Sequence, residues 1–290
     1  VGGPTTVIRV SYLPRWPDCN RRSAATIFRD IINAAGYTLR QLDRGIGASI
    51  GTSVHASAAA MLNEKAKSGS LPPESTVTDV AVETLKGDIA NGVMYDGERG
   101  ATRSRNEAEK QVTMMARKYR SHIAPTVDPI LVEERLEAEV APGLILSGQP
   151  DLVAREPKRL RDLKTGTMLS NFFAQLGGYS LLCRTPTAAH PEGIEIADAA
   201  VDFMKRVRAD KPQPDPIVKP APIAEAETAA INIVQHIDRS RRLFMEGDPE
   251  HGFVAGDPWA FQSNPNSTLC GDRYCACWGT PFCRDWMPKE

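Results

Sequence analysis

No apolar run in the chain approaches the ~20 residues needed to cross a bilayer, so no segment reads as a transmembrane helix. The stretch Val1 to Val10 also lacks the charged-then-apolar layout of a secretory leader. A soluble, cytoplasmic protein is the expectation. Neither sign of charge dominates: 35 Lys+Arg stand against 36 Asp+Glu, a net of −1 at pH 7, which excludes histone-like association through bulk charge and leaves room for a local basic groove. There is no internal repeat and no low-complexity bias, so collagen-like, mucin-like and wholly disordered chains are excluded. What is present is 290 residues with 41% hydrophobic content, enough for a real core.

The hydrophobic pattern predicts a short extended start at Val7 to Tyr12 and a helix from about Arg22 to Ala35, ended by Gly36. Gly45, Gly47 and Gly51 read as a flexible lead into a second helix carrying Val54, His55, Ala58, Met61 and Leu62. Lys67 to Glu74 reads as a loop, and a third helix is expected from Asn106 to Tyr119. The period then changes. Strands are expected over Leu131 to Val140, Leu144 to Gly148, Pro150 to Ala154 and Arg159 to Lys164, with a helix over Met168 to Arg184 and a strand near Ala200 to Val207. Five prolines between Lys211 and Pro222 predict an extended connector poor in hydrogen bonds, and Ile223 to Met245 has helical spacing. Strands in series before a helix give an α/β class: a mixed central β-sheet flanked by helices.

Alternation along the strand at 159–164 puts Asp162 and Lys164 on one face and Arg161 and Leu163 on the other. Asp151, from the preceding strand of an apparent hairpin, can join Asp162 in a hard oxygen site for a divalent cation. Gln175 and Tyr179 are four apart on the following helix and share its face. Each has an ordinary reading beside the functional one. Asp162 and Lys164 make a surface ion pair, His55 a core or cap histidine, and Gln175 and Tyr179 the polar edge of an amphipathic helix. Arg155, Lys158, Arg159 and Arg161 read equally as a solvated hairpin tip or as phosphate contacts.

The order Gly148-Gln-Pro-Asp151, Asp162-Leu-Lys164, Gln175-Leu-Gly-Gly-Tyr179 resembles the PD-(D/E)XK nuclease superfamily, in particular its RecB-like branch. Gly51-Thr-Ser-Val-His55 matches the upstream histidine of that branch. The resemblance implies a restriction-endonuclease-like core and Mg²⁺- or Mn²⁺-dependent cleavage of DNA. The expected mode is exonucleolytic, on single strands or free ends, in recombination, repair or phage DNA processing. It implies His55, Asp151, Asp162 and the Leu163 carbonyl around the metal, Lys164 positioning water or neutralising phosphate, and Gln175 and Tyr179 orienting DNA or the lysine. A glutamate upstream of Gly148 is also implied, and Glu133, Glu134, Glu137 and Glu139 compete for the place. A non-catalytic DNA-binding module and a structure-specific endonuclease are the rivals, and a helicase or recombination protein is a candidate partner.

Four of the six cysteines crowd into Cys270-Gly-Asp-Arg-Tyr-Cys275-Ala-Cys277-Trp-Gly-Thr-Pro-Phe-Cys283, which points toward a metal or cluster. RecB-like nucleases of the AddB type and CRISPR-associated RecB-like exonucleases bind a 4Fe-4S cluster with one cysteine before the core and three after. Similarity to them implies Cys19, Cys270, Cys275 and Cys283 as ligands, with Cys277 the substitute for Cys275. The competing reading is a tail-only Zn²⁺ site of Cys270, Cys275, Cys277 and Cys283. Cys183, beside a leucine pair, reads as a buried apolar residue. The expected divisions are an N-terminal segment at 1–40, a nuclease core at 41–210, the connector at 211–222 and a cysteine-rich end at 223–290, the termini being joined at the cysteines.

Overall fold

The computed structural model describes residues 5–95 and 100–283; residues 1–4 and 284–290, at the outer ends of the two expected terminal segments, lie outside it. Strand β1 (Thr6–Arg9) runs into a 3₁₀ turn (Val10–Arg15), followed by helices α1 (Asn20–Ile27) and α2 (Arg29–Ala34). Three long helices follow, α3 (Ile46–Ser68), α4 (Glu74–Ala90) and α5 (Ala101–His122). Next come β2 (Pro129–Leu131), β3 (Leu136–Ala141), β4 (Leu144–Gly148), β5 (Leu152–Ala154) and β6 (Arg159–Gly166). The chain continues through α6 (Phe173–Cys183), β7 (Asp198–Lys205), β8 (Ile217–Ala221) and α7 (Ile223–Glu246) to an irregular, cysteine-bearing tail.

The strands form two mixed sheets, a three-stranded one ordered β1-β4-β3 and a five-stranded one ordered β2-β5-β6-β7-β8. In the larger sheet β6 and β7 are parallel, and the other neighbours are antiparallel. Its strands alternate between two cores. Val153, Leu160, Val201 and Phe203 pack with α6, α7 and the tail, whereas Leu152, Ala154, Leu163 and Met204 pack against α3, α4 and α5. Burial on both faces explains the near-continuous apolar character of β7.

Several local expectations are corrected. The first helix is broken at Phe28, whose ring turns into an aromatic cluster with Trp16 and Phe261. Gly47 and Gly51 lie inside α3 instead of forming a flexible lead: a Cβ on Gly51 would come 3.1 Å from Thr165 Oγ1, so the small residues serve close packing on β6. The expected loop from Lys67 is helical through Ser68, and α4 has no counterpart among the expected helices; Val77, Ala81 and Leu85 give it a narrow buried stripe at four-residue spacing. The helix expected from Met168 starts at Phe173, where the Asn171 side chain accepts from the Phe173 N–H. The proline connector is hydrogen-bonded after all, since β8 pairs with β7 as an edge strand, the one sheet position that tolerates Pro220.

Candidate active site and cysteine pocket

The Gly148-Gln-Pro-Asp151 turn carries the chain from the end of β4 in one sheet to the start of β5 in the other, and so delivers Asp151 to the seam. Two hydrogen bonds tie that turn to Glu133: Gln149 Nε2 donates to the Glu133 carbonyl (2.7 Å), and the Glu133 N–H donates to the Pro150 carbonyl (3.0 Å). Glu133 itself sits at φ +50°, an unusual conformation for a residue with a Cβ and one commonly held at functional sites. His55 reaches the same place from the middle of α3, with Nδ1 2.9 Å from Asp151 Oδ1 and 3.9 Å from Glu133 Oε1. One ligand atom from each of His55, Glu133 and Asp151 lies within 4.8 Å of the others, and no other such group occurs among the described residues. The structure thus separates Glu133 from Glu134, Glu137 and Glu139. The other Asp151 oxygen, Oδ2, accepts the Leu163 N–H at 2.6 Å.

Beside this triad lies a second layer from β6 and α6. Lys164 Nζ is 2.7 Å from Asp162 Oδ2 and donates to Gln175 Oε1 at 2.7 Å. Gln175 Nε2 in turn donates to Asp162 Oδ1 (3.2 Å) and lies 3.0 Å from the Tyr179 hydroxyl. The i, i+4 spacing on α6 puts Gln175 and Tyr179 over the D-x-K strand, and the parallel β6-β7 pair holds that strand in the sheet centre. Asp162 is 1% exposed, and beyond its ion pair Oδ2 has no well-directed hydrogen bond.

The charges are strongly perturbed. Burial disfavours a charged His55, but the carboxylates of Asp151 and Glu133 outweigh it and push the imidazole up to about 10. Burial raises Asp162 to about 6 against the pull of Lys164. Asp151 stays below the usual carboxylate range despite burial, because of His55, Lys164 and the Leu163 N–H. Burial raises Glu133. Two carboxylates and an imidazole converging beside a buried, under-satisfied carboxylate oxygen suit a hard or borderline divalent cation.

The profile of the PD-(D/E)XK nuclease superfamily matches residues 32–280. The chain belongs to that superfamily. Among curated proteins none matches this chain. The two mixed sheets with flanking helices accord with the superfamily's fold. The match extends well past β6 into the tail that carries Cys270, Cys275 and Cys277.

At the hairpin tip Arg155 is paired with Asp128, Arg159 with Asp198 and Arg161 with buried Asp202. All three have a carboxylate partner within the fold, and Arg161, buried with Asp202, is out of reach of a phosphate. Asp202 had no sequence signal of its own; only the parallel register that sets it beside Leu163 reveals it as the partner of Arg161.

In the tail, Cys19, Cys270, Cys275 and Cys283 line one small pocket together with Arg22, Asn264 and Ser267. Cys277 is outside that lining, with its sulfur 3.5 Å from the Arg21 carbonyl. Arg22 is fixed by Asp18 (2.7 Å) and Ser267 (3.2 Å). The hydrogen bond from Cys277 holds the Cys275 thiol down to about 6, whereas burial pushes Cys283 up to about 11. Cys183 lies apart, buried on α6.

Proposed function

We propose that the protein is a divalent-metal-dependent deoxyribonuclease in which His55, Glu133 and Asp151 hold the cation, with Asp162 and the Leu163 carbonyl completing its surroundings. The observation that carries this reading is the Lys164 ammonium, fixed between Asp162 and Gln175 beside the converging triad. A bound Mg²⁺ or Mn²⁺ supplies Lewis acidity toward a phosphodiester oxygen and lowers the pKa of a nearby water. Lys164 orients that water or neutralises charge building on the phosphate. Gln175 holds the lysine head by accepting from Nζ, and Tyr179 fixes Gln175. His55 must be neutral to ligate, so it gives up its proton when the cation enters.

The resemblance to the RecB-like branch supports an exonuclease acting on single-stranded DNA or free ends, built on a core at 41–210. The near-neutral net charge supports delivery of DNA by a partner such as a helicase or recombination protein. For the second site, the shared pocket of Cys19, Cys270, Cys275 and Cys283 supports a structural 4Fe-4S cluster. No three sulfurs among the described residues come within 4.8 Å of one another, so the thiols share a pocket without being gathered around one point.

The test is cleavage of end-labelled single-stranded DNA with Mn²⁺, beside closed circular DNA. The wild-type chain is expected to shorten free ends, to spare circles and to stop in chelator, while Lys164→Ala loses about a hundredfold or more in rate. Cut circles would favour the endonuclease. Binding with no cleavage by an intact wild type would favour the binding module.

A further inference from the structure

The catalytic strand β6 and its parallel neighbour β7 end at the same edge of the sheet, next to the N-terminal half of α3. Arg206, the first residue after β7, is anchored there by its N–H, which donates to the Gly166 carbonyl at 2.7 Å. Its guanidinium lies over α3, so close that a Cβ on Gly47 would come 2.8 Å from one terminal nitrogen. Thr165 Oγ1 lies one turn along, against Gly51. Gly47, Gly51 and His55 follow at i, i+4 and i+8 on one side of α3, so Arg206, Thr165 and the candidate metal triad line up over about 12 Å.

The Arg206 guanidinium has no protein partner among the described residues at this end of the sheet. Its neighbours at this end and along the same strands are satisfied: Arg159 by Asp198, Arg161 by Asp202, Arg208 by Asp210, Arg44 by Thr52 and Asp88. Elsewhere Arg21 is held on the Phe261 and Pro258 carbonyls and Arg241 on the Pro142 carbonyl and Asp238, while Arg40, whose Nη1 is buried without an acceptor, sits beside the tail, where its N–H donates to the Ala276 carbonyl. Among the described residues the Arg206 side chain has no hydrogen bond and no ion pair, although it is half-buried. Thr165 is likewise half-buried, with a hydroxyl that bonds to nothing described. A five-donor planar fork held against a helix without an acceptor is a site for an anion that arrives from outside.

We infer that Arg206, assisted by the Thr165 hydroxyl, holds a backbone phosphate of the substrate strand beside the one that is cut, so that the strand runs along α3 from His55 toward Gly47. The inference rests on the nuclease reading and extends it by fixing the path of the strand. Arg206 is a binding residue and takes no part in bond breaking.

Lys164→Ala protein, which binds without cutting, is titrated with a fluorescein-labelled oligodeoxynucleotide at several salt concentrations. Adding Arg206→Gln is expected to weaken binding about tenfold and to make the dependence of log K on log[salt] shallower by about 0.7, the loss of one phosphate contact on a single strand. Arg206→Lys, which keeps the charge, should restore the slope. Thr165→Val should weaken binding about threefold with the slope unchanged, because it removes a neutral hydrogen bond. With Lys164 intact, Arg206→Gln should lose kcat/KM mainly through KM. Equal affinity and equal slope in Arg206→Gln would overturn the inference, as would a loss that lysine does not rescue. If the wild-type chain cleaves DNA while Arg206→Gln changes nothing, the inference alone fails. A wild type that neither binds nor cleaves DNA removes the nuclease reading and the inference with it.

Discussion

His55 holds a proton at neutral pH that a divalent cation would have to displace, because two carboxylates surround it, whereas buried Asp162 takes one up only as the pH falls toward about 6. Metal binding and pH are therefore linked. With His55 up at about 10, a neutral site binds Mn²⁺ only after releasing the imidazole proton, so affinity should rise about tenfold per pH unit between pH 7 and 9. Below about 6 the dependence should steepen as Asp162 also takes up a proton. Calorimetric titration with Mn²⁺ in buffers of different ionisation enthalpy would count the protons. About one should be released at pH 7.5 in the wild type and none in His55→Ala. An affinity that stays flat from pH 6 to 9 would show that His55 is not displaced by the metal. Of this residue-scale chemistry, the D-x-K pair and the i, i+4 pair on α6 were legible because strand and helix periods fix their faces. Glu133 was not, since four nearby glutamates are equivalent in sequence and only its turn at φ +50°, tied to Gln149 and Pro150, singles it out.

Among the elements, α6 carries the strictest packing. Gly177 faces α7 so closely that a Cβ there would lie 1.9 Å from the Ala226 carbonyl oxygen and 2.2 Å from its carbon. Backbone cannot yield as a side chain can. Gly177→Ala should therefore cost about 3 kcal/mol or more and lower the melting temperature sharply. Its neighbour is the control: a Cβ on Gly178 meets only the side chains of Val10 and Leu13 at 2.9 and 3.0 Å, so Gly178→Ala should cost about 1 kcal/mol. Equal melting temperatures for the two variants would mean that α6 and α7 can slide apart. The apolar pattern made α6 and α7 legible as helices, yet it could not say that they touch at Gly177. The miss of α4 has the opposite cause: its buried positions, Val77, Ala81 and Leu85, are few and small, so its periodic signal is weak even though tertiary packing makes it regular. β8 was misread because proline suppresses the strand signal while leaving one edge free to pair.

At the scale of the whole molecule, hydrogen bonds such as Arg21 N–H to the Gln262 carbonyl, Arg40 N–H to the Ala276 carbonyl and Ser267 to Asp18 tie the N-terminal segment to the tail, and two larger junctions add to them. One junction is apolar: Trp16 and Phe28 meet Phe261, which packs on Phe244 and Phe282. The other is the pocket where Cys19 meets Cys270, Cys275 and Cys283. A cluster bonded across the second junction would close a loop from residue 19 to the tail. In a chain-entropy picture such long-range closure stabilises mainly by restricting the unfolded chain, with little dependence on native contacts. Anaerobically purified protein should accordingly be brown with about four irons and four sulfides per chain. Cys19→Ser should lose the colour and melt at a lower temperature. It should still fold and still cleave DNA at moderate temperature, because the aromatic junction and the distant His55-Asp151-Lys164 site do not involve Cys19. Limited proteolysis distinguishes the two junctions: loss of the cluster should expose the stretch around Cys270 to Cys283, while the segment through Phe261 stays protected. Cys277→Ser, at a sulfur outside the pocket lining, should keep its iron. A colourless wild type with one zinc per chain, lost in Cys277→Ser and retained in Cys19→Ser, would instead place a single ion in the tail and leave the ends held by the aromatic junction and the hydrogen bonds around Arg21 and Asp18.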